Sequence, residues 1–344
     1  MVISRTPFRI SFFGGGTDYP AWYRENGGSV LATTINKYCY LTVRYLPPFF
    51  GHNYRITYSR IESCNKIDEI MHPSVREAIR FLKIKDGLEI HHDGDLPARS
   101  GLGSSSAFTV GLLNSLYALK GKMINKKQLA KESIYLEQKV LKETVGSQDQ
   151  IQAAYGGLNH ITFQKDGEIR VRPVTVSSKR IEELEAHLML FYTGIVRTAS
   201  DIAKTFVPNI EQKEKQLFAM NGMVGQALNI LNSKQDINDF GKLLHEAWSL
   251  KRSLSSSVSN SFIDSIYKNG LSAGAIGGKI IGAGGGGFLL LFVPPSRQAR
   301  VMKKFNKLIH VPFKFEHEGS QIIVFDQQED YSSAIKSHLT REPY

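Results

Sequence analysis

The sequence predicts a two-domain protein that combines strands with helices. Two observations lead to this expectation. A chain of 344 residues is long enough to fold as two domains with separate hydrophobic cores. Its first half alternates between strand-like and helix-like segments, whereas long helical segments dominate after roughly residue 175. We expect the boundary to fall between residues 165 and 185, and we divide the chain into domains 1–172 and 173–344.

In the first half, residues 30–46 and 54–59 are rich in β-branched and aromatic residues, which predicts strands. A proline near the start of residues 72–83 predicts a helix there. The later predicted elements of this half are a strand at 87–93, helices at 104–119 and at 126–142 (the second capped by Asn125), and a hairpin around Asp166 and Gly167. The second half is predicted to contain helices near 211–232, 238–250 and 260–269, and a buried strand at FLLLFV, residues 288–293.

Composition and charge are those of an ordinary globular protein of the cytoplasm. Hydrophobic residues make up 42% and charged residues 22% of the chain, and no apolar run approaches the ~20 residues that span a bilayer. No signal-peptide pattern is seen, and the isolated Cys39 and Cys64 indicate neither a disulfide framework nor a zinc site. The formal net charge is +11, but basic residues are mixed with acidic ones, as on solvated helix faces. We therefore expect small anionic substrates, no nucleic-acid or membrane partner, and either a monomer or a homodimer.

A first glycine-rich motif, PFRISFFGGGTDYP, occupies residues 7–20. Consecutive glycines cost conformational entropy on folding, so they indicate backbone that must pass close to another group. Arg9 and Asp18 bracket the glycines with one cation and one carboxylate. The alternative is structural, with a strand, a tight turn and a helix that is capped by Asp18 and has Pro20 in its first turn.

A second motif, PARSGLGSSSA at residues 97–107, predicts a phosphate-binding loop. A glycine-rich loop that leads into a helix exposes unpaired backbone N–H groups at the positive end of the helix dipole. The candidate residues are Pro97, Ser100, Gly101, Leu102, Gly103, Ser104, Ser105 and Ser106. The sequence lacks GxxxxGK[ST], so this is not a Walker A loop. A serine cap after a flexible loop is the structural alternative.

A third motif, GKIIGAGGGGFLLLFV at residues 278–293, contains a GxGxxG match. A dinucleotide-binding fold requires a helix directly after this loop, but here an apolar strand follows. Gly284 and Gly285 are instead candidates for close approach of the backbone to a bound phosphate or sugar, and a purely structural tight turn is the alternative. Asp239-Phe240-Gly241 spells DFG, but no HRD segment supports a protein kinase.

The three motifs, in this order, resemble those of the GHMP kinases, the family of galactokinase, homoserine kinase, mevalonate kinase and phosphomevalonate kinase. The first is similar to the galactokinase signature PGRVNLIGEHTDY, with Arg9 and residues 17–19 matching. It departs from that signature at Gly15 and Gly16, where galactokinases carry Glu-His, which argues against galactose as the substrate. The segments GSQDQIQAAYGG, FYTGIVRTAS and LKRSLSSSVSN more closely resemble the branch that acts on D-glycero-D-manno-heptose 7-phosphate.

The resemblance implies a two-domain α+β fold, with an N-terminal domain like the second domain of ribosomal protein S5 and a ferredoxin-like C-terminal domain. It implies ATP and Mg²⁺ and transfer of the γ-phosphate to the anomeric hydroxyl of heptose 7-phosphate, giving a 1,7-bisphosphate for nucleotide-activated heptose. The alternatives are another sugar 1-kinase, such as an L-fucokinase, or an RNA-binding protein on an S5-like fold.

Two carboxylates are candidates for the chemistry. Glu137 lies on the apolar stripe of its helix, and because a buried carboxylate needs a cation, we expect either a Mg²⁺ ion shared with Ser105 or its neighbour, or a salt bridge. Asp149 follows a predicted cap at Ser147 and could simply complement the helix dipole. The resemblance implies that Asp149, twelve residues after Glu137, is the catalytic base and that Arg9 lies beside it.

The remaining candidates concern the acceptor. Under the resemblance, backbone at the first and third motifs approaches the sugar, and Asp18 accepts hydrogen bonds from its hydroxyls. The phosphate of the acceptor requires cations, for which Arg197, Lys251 and Arg252 are candidates, although they could be surface charges. His91 and His92 are expected to serve packing or the surface. The substrate-binding candidates are Gly14, Gly15, Gly16, Thr17, Asp18, Gly284, Gly285, Arg197, Lys251 and Arg252.

Overall fold

The computed structural model describes residues 1–47, 49–196 and 199–326. Its strands are β1 Val2–Phe13, β2 Gly28–Tyr45, β3 Tyr54–Thr57, β4 Ile61–Cys64, β5 Leu88–Gly94, β6 Asn159–Phe163, β7 Ile169–Pro173, β8 Leu188–Tyr192, β9 Gly277–Ile280, β10 Phe288–Phe292, β11 Ile309–His310, β12 Phe315–Glu316 and β13 Gln321–Phe325. Its α-helices are α1 Pro20–Asn26, α2 Pro73–Phe81, α3 Ser104–Leu119, α4 Lys126–Tyr135, α5 Gln148–Tyr155, α6 Ser178–Ala186, α7 Ala199–Ala203, α8 Glu214–Asn232, α9 Asn238–Arg252, α10 Ser261–Ala273 and α11 Gln298–Lys304.

The strands of the described residues form two sheets. The larger has the order β13-β1-β2-β5-β3-β4, and the long β2 also pairs with β6 and β12, while β7 pairs with β6. The smaller is antiparallel, with the order β11-β8-β10-β9. Every residue of β10 is buried, which confirms the predicted buried strand. Because β12 and β13 return to the larger sheet, the carboxyl-terminal part of the described chain packs with the first half; the boundary at 172/173 remains a prediction.

Strand β1 connects the two halves of the molecule. Burial alternates along its first residues and then becomes continuous, because its last part is covered on both faces. On one side α3 packs against β1 and β2. On the other side Phe12 and Phe13 make edge-to-face ring contacts with Phe240 of α9, at centroid distances of 5.5 and 5.0 Å. The three glycines of the first motif, residues 14–16, follow β1 directly and therefore lie where the two halves meet.

The helix predicted at 126–142 differs from the structure. Asn125 caps it as expected, since its side chain accepts a hydrogen bond from the Gln128 N–H. The α-helix ends at Tyr135, however, and residues 136–140 form a π-helical turn in which the Leu141 N–H donates to the Leu136 carbonyl. Lys142 then has a φ of +55°, which ends the helical run. Glu137 lies in this π turn.

None of the helices within the described ranges is both long enough and apolar enough to cross a membrane.

Candidate active site

A bidentate ion pair between Arg9 and Asp149 lies at the centre of the site. The guanidinium donates from Nε to Asp149 Oδ1 at 2.7 Å and from Nη2 to Oδ2 at 2.6 Å. Arg9 comes from β1 and is buried, whereas Asp149 stands in the first turn of α5 with 24% of its side chain exposed. The carboxylate is thus fixed in orientation by a planar partner while it stays open to the pocket. Two residues that are 140 positions apart in sequence are joined as the resemblance implied.

The glycine loop of the second motif is attached to the same arginine. Arg9 Nη1 donates to the Gly101 carbonyl at 2.5 Å, and the Arg9 N–H donates to the Leu102 carbonyl at 3.0 Å. Gly101 and Gly103 have φ values of +86° and +73°, a region that disfavours side chains. The loop ends at Ser104, where α3 begins, so the free N–H groups of the first helical turn lie beside the ion pair. The loop and the start of α3 thus have the predicted backbone geometry, and that they bind an anion remains a prediction.

The remaining members of the loop hold its shape. Ser100 Oγ donates to the Pro97 carbonyl at 2.6 Å, and the Arg99 N–H donates to Ser104 Oγ at 3.1 Å. Leu102 is fully buried. These contacts fix the backbone and leave the N–H groups of the helix start available.

The third glycine motif packs against the second. Gly282 has a φ of +81°, and a Cβ there would overlap the backbone of Gly101, while a Cβ on Gly287 would overlap Ser100. Gly282 and Ala283 line the pocket. The predicted Gly284 and Gly285 do not; they lie against Val258 and against Ile202 and Ser257. The sequence singled out this loop but not Gly282 and Ala283, because which of its residues face the pocket depends on contacts with distant parts of the chain.

The structure brings Ser106, rather than Ser105, to Glu137. Ser106 Oγ donates to Glu137 Oε2 at 2.9 Å, and Gln150 Nε2 donates to the same oxygen. Ser105 is exposed. Thr109 also lies near this carboxylate, but its hydroxyl donates to the Ser105 carbonyl at 3.2 Å. Within the described part of the chain Glu137 Oε1 accepts no well-formed hydrogen bond, and no cationic side chain pairs with this carboxylate. Burial raises the pKa of Glu137 to about 7.

The structural alternative for Glu137, a salt bridge, is thus not found among the described residues. A buried carboxylate with one bare oxygen next to a serine hydroxyl is a donor set that suits a hard cation such as Mg²⁺.

The first glycine motif divides into structural and pocket-lining positions. The Thr17 hydroxyl donates to the carbonyls of Gly14 and Ser29, and Gly14 packs so closely on Ser29 that a Cβ would overlap it. Gly15 and Gly16 line the pocket. Gly14 and Thr17 therefore shape the turn, whereas Gly15 and Gly16 face the pocket.

Asp18 lines the pocket and is buried. Its Oδ1 accepts a hydrogen bond from the Gly16 N–H at 3.0 Å, and the Gln148 N–H approaches Oδ2 at 3.4 Å. Burial raises the pKa of this carboxyl group. The predicted cap of α1 at Asp18 is wrong by one residue, since Tyr19 holds that position.

Of the two predicted phosphate-binding cations that the structure describes, Lys251 lines the pocket and Arg252 does not. The buried ammonium of Lys251 donates to the Gly282 carbonyl. Burial and the nearby Arg9 cation lower the pKa of Lys251 to about 8, against the opposite effect of Asp18 and Asp149. Arg252 is 40% exposed and pairs with Asp264 at 3.0 Å, so the structure does not bring it to the pocket. Arg197 lies outside the described residues.

Several pocket residues were not predicted. Tyr19 makes an edge-to-face contact with Phe206 at 5.7 Å, and together with Leu254 and Val258 they form an apolar wall. The polar residues that were missed are Ser11, Gln148 and Gln150. Ser11 could have been found from the two-residue period of a strand that already carries Arg9, and the two glutamines flank Asp149; the apolar wall has no sequence signal.

Lys279 of β9 is a buried lysine that binds the end of β1 next to the pocket. Its Nζ donates to the carbonyls of Ser11 and Phe12, both at 2.9 Å. Burial lowers its pKa well below the usual range, and the neighbouring Lys251 and Arg9 act in the same direction. This contact connects the end of β1 to the strand that precedes the third glycine motif.

His91 and His92 do not reach the site. His91 pairs with Glu89, and His92 contacts the ring of Phe108 edge-on at 5.1 Å. They serve packing and the surface, as expected. A larger open cavity, of about 810 Å³, lies between the β6–β7 hairpin and α8 and contains none of the predicted site residues.

Comparison with known proteins identifies relatives that match most of the chain. Residues 73–157 match the model of the GHMP kinases N terminal domain, and residues 227–310 match that of the GHMP kinases C terminal. A D-glycero-alpha-D-manno-heptose 7-phosphate kinase of Campylobacter jejuni is 30% identical over 315 residues, which cover 88% of this chain and 93% of that protein. A bifunctional fucokinase/GDP-fucose pyrophosphorylase of Arabidopsis thaliana is 25% identical over 87% of this chain but only 30% of its own length.

The fold recurs in solved structures. A D-glycero-D-manno-heptose 1-phosphate kinase from Bacteroides thetaiotaomicron superposes with a TM-score of 0.79 at 23% identity, covering 95% of this chain and all of that one. The observed arrangement of two sheets and their helices is thus a known two-domain fold.

Proposed function

The chain belongs to the GHMP kinase family, and from this premise we propose that it transfers the γ-phosphate of ATP to the anomeric hydroxyl of D-glycero-D-manno-heptose 7-phosphate. It is a phosphotransferase with an alcohol group as acceptor. The product would be a 1,7-bisphosphate, a precursor of nucleotide-activated heptose. The observation that carries the proposal is the Arg9–Asp149 pair, which faces a pocket directly beside a glycine loop at the start of α3.

The glycine loop is the proposed site of the ATP phosphates. Backbone N–H groups at the start of α3 point out of the helix without intrahelical partners, and the helix dipole favours negative charge there. Because Arg9 donates both to the Gly101 carbonyl and to Asp149, one guanidinium connects the loop to the Asp149 carboxylate. The γ-phosphate would thereby be presented to the carboxylate side of the pocket.

Asp149 is the proposed base. The acceptor hydroxyl donates a hydrogen bond to its carboxylate, which takes the proton as the hydroxyl oxygen forms its bond to the γ-phosphorus. The bond between that phosphorus and the β–γ bridging oxygen breaks, and ADP leaves with the electron pair. Arg9 keeps Asp149 oriented and balances its charge, so that the carboxylate is poised before the substrate binds.

The residues around Glu137 fit a Mg²⁺ ion. Its Oε1 is buried without a partner, and the Ser106 hydroxyl lies next to the same carboxylate, so Glu137 and Ser106 are the residues that would hold the ion. Bound Mg²⁺ would neutralise charge on the phosphates. Ser105 does not share this position, because it is exposed.

The choice of a sugar phosphate rests on the Campylobacter relative and on the buried ammonium of Lys251 in the pocket. The alternative acceptor is L-fucose, since the chain also resembles a part of the bifunctional fucokinase/GDP-fucose pyrophosphorylase of Arabidopsis. A coupled ADP-release assay with Mg²⁺-ATP tests this over a panel of free sugars and sugar phosphates. Turnover of heptose 7-phosphate above L-fucose and galactose supports the proposal, and preference for a free sugar contradicts it.

A further inference from the structure

Unpartnered polar atoms gather in the pocket. Ser11 Oγ, Gln148 Oε1 and Gln150 Oε1 are buried and have no hydrogen-bond partner within the described ranges, and all three residues line the pocket. Native proteins satisfy nearly all of their buried polar groups, so each exception requires an explanation. Three exceptions around one pocket indicate groups that are reserved for a ligand.

Ser11 and Gln148 are the more available of the three residues. The Gln150 amide already donates to Glu137, whereas the Gln148 side-chain amide makes no hydrogen bond to any described residue. Ser11 follows Arg9 by two positions on β1, so the pleat directs both side chains to the same face. The pairing of β1 with β2 shifts register between Ser11 and Phe13, so the strand is irregular directly after Ser11.

Both groups adjoin the bare Cα of Gly15. A Cβ at this position would lie 3.6 Å from Ser11 Oγ and 3.7 Å from Gln148 Nε2, which are ordinary contact distances. Gly14 and Gly16 have φ values of +80° and +113°, but Gly15 is not in the left-handed region. The backbone therefore does not require glycine at position 15. What the glycine provides is space between two unsatisfied polar groups.

We propose that Ser11 and Gln148 bind hydroxyl groups of the acceptor sugar in the space over Gly15 and thereby determine which acceptors are used. A serine hydroxyl and a carboxamide each donate and accept, as sugar hydroxyls do. A phosphate group without protons could not satisfy Gln148 Oε1, which needs a donor. This inference rests on the proposed function, because it names the part of the acceptor that this side of the pocket recognises.

The test uses three variants, Ser11→Ala, Gln148→Met and Gly15→Ala, with Ser115→Ala as the matched control. Ser115 is also buried with an unpartnered hydroxyl, but it does not line the pocket. KM for the acceptor, KM for ATP and kcat are measured with heptose 7-phosphate and with L-fucose, using each sugar that the wild-type protein phosphorylates. The melting temperature of each ligand-free variant is measured in parallel.

We expect Ser11→Ala and Gln148→Met each to raise the acceptor KM about fivefold to tenfold, the effect of losing one neutral hydrogen bond, with the ATP KM within twofold of wild type. Gly15→Ala should raise the acceptor KM at an unchanged melting temperature, since its methyl group fills the space without straining the backbone. Ser115→Ala should leave both KM values unchanged.

Two results would overturn the inference. One is an acceptor KM within twofold of wild type in all three variants. The other is a fall in the melting temperature of ligand-free Ser11→Ala and Gln148→Met below that of Ser115→Ala, which would show that both groups stabilise the fold. Failure of the proposed substrate would give a different result. Wild-type protein would then phosphorylate L-fucose but not heptose 7-phosphate, and the variants would still show the expected changes in acceptor KM with L-fucose.

Discussion

Asp149 is held by two hydrogen bonds from one guanidinium and has no other side-chain partner in the described structure. We predict that Asp149→Asn lowers kcat about 10²- to 10⁴-fold, because the amide cannot take the proton of the acceptor, while the dissociation constant of ATP stays near the wild-type value. Steady-state kinetics and calorimetric ATP titration measure the two effects. Asp239→Asn is the control and should leave kcat unchanged, because Asp239 lies in the first turn of α9, partly exposed and paired with Lys242, away from the pocket. More than a tenth of wild-type turnover in Asp149→Asn would remove Asp149 from the proposed role.

Within the described ranges Glu137 is buried without a salt bridge, and its Oε1 has no hydrogen-bond partner. We predict that Glu137→Gln shifts the Mg²⁺ dependence of turnover to higher concentrations, by about tenfold or more, because a neutral amide is a weaker ligand for a hard cation. Titration of activity with Mg²⁺ at saturating ATP measures the shift. Glu132→Gln on the preceding helix, where the carboxylate accepts from Tyr117 and Gln128, is the control. Coinciding curves for Glu137→Gln and wild type would contradict a metal role.

Lys251 gives the fold a pH dependence whose sign follows from its lowered pKa. Below pH 8 the amine is charged in both the native and the unfolded chain, and the cost of burying it is present in full. Between pH 8 and its ordinary pKa of 10.5 the native amine loses its proton first, so the unfolded state binds more protons and the free energy of unfolding rises with pH.

Lys251→Met removes the charge at every pH. We therefore predict that its free energy of unfolding, relative to that of wild type, is higher at pH 7 than at pH 9.5. The difference between the two unfolding free energies should change by about 2 kcal/mol over this range. Urea denaturation at both pH values measures it. A difference that does not vary with pH would show that Lys251 keeps its proton throughout.

Single elements show what the sequence could and could not predict. Helix α3 occupies the predicted residues 104–119, because its signals are local: a glycine loop, small hydroxyl residues and then an apolar run. The π turn at 136–140 was missed, because it accompanies a long-range arrangement in which Glu137 meets Ser106 of another helix. The distinction between Gly282 and Gly284 was equally inaccessible, since it depends on which neighbouring backbone each one touches.

The contact between the second and third glycine motifs yields an element-scale prediction. Gly282→Ala should destabilise the protein and raise the KM for ATP, since a methyl group at a φ of +81° would press on the Gly101 backbone and displace the phosphate loop. Gly222→Ala is the matched control. It lies in α8 next to open space and should stabilise the protein by about 0.5–1 kcal/mol without changing KM. Thermal denaturation and ATP kinetics test both variants. A normal ATP KM in Gly282→Ala would show that the contact with the third glycine motif does not affect ATP binding at the second.

At the scale of the whole molecule, the pocket is assembled from distant parts of the chain. Arg9 comes from the start of the sequence, Asp149 from α5, Lys251 from the end of α9 and Gly282 from the loop before β10. Most of these residues could be predicted from their sequence motifs. Their proximity in space could not, because it depends on β1 lying between the two halves. The same long-range geometry decides that Lys251 faces the pocket while its neighbour Arg252 does not.

Arg252 allows the substrate class to be tested against this geometry. It pairs with Asp264 on α10, and a partly exposed ion pair of this kind contributes only about 0–1 kcal/mol to stability. If Arg252 leaves that partner to bind the phosphate of the acceptor, Arg252→Ala should raise the KM for heptose 7-phosphate about tenfold and that for the dephosphorylated heptose far less. Asp264→Ala breaks the same pair but keeps the cation, so it should leave the KM for the sugar phosphate at or below the wild-type value. Two outcomes would contradict this role: equal KM changes in both variants, or equal effects of Arg252→Ala on phosphorylated and free sugar. Either would show that the ion pair only joins α9 to α10. Lys251 would then be left as the pocket cation for the phosphate.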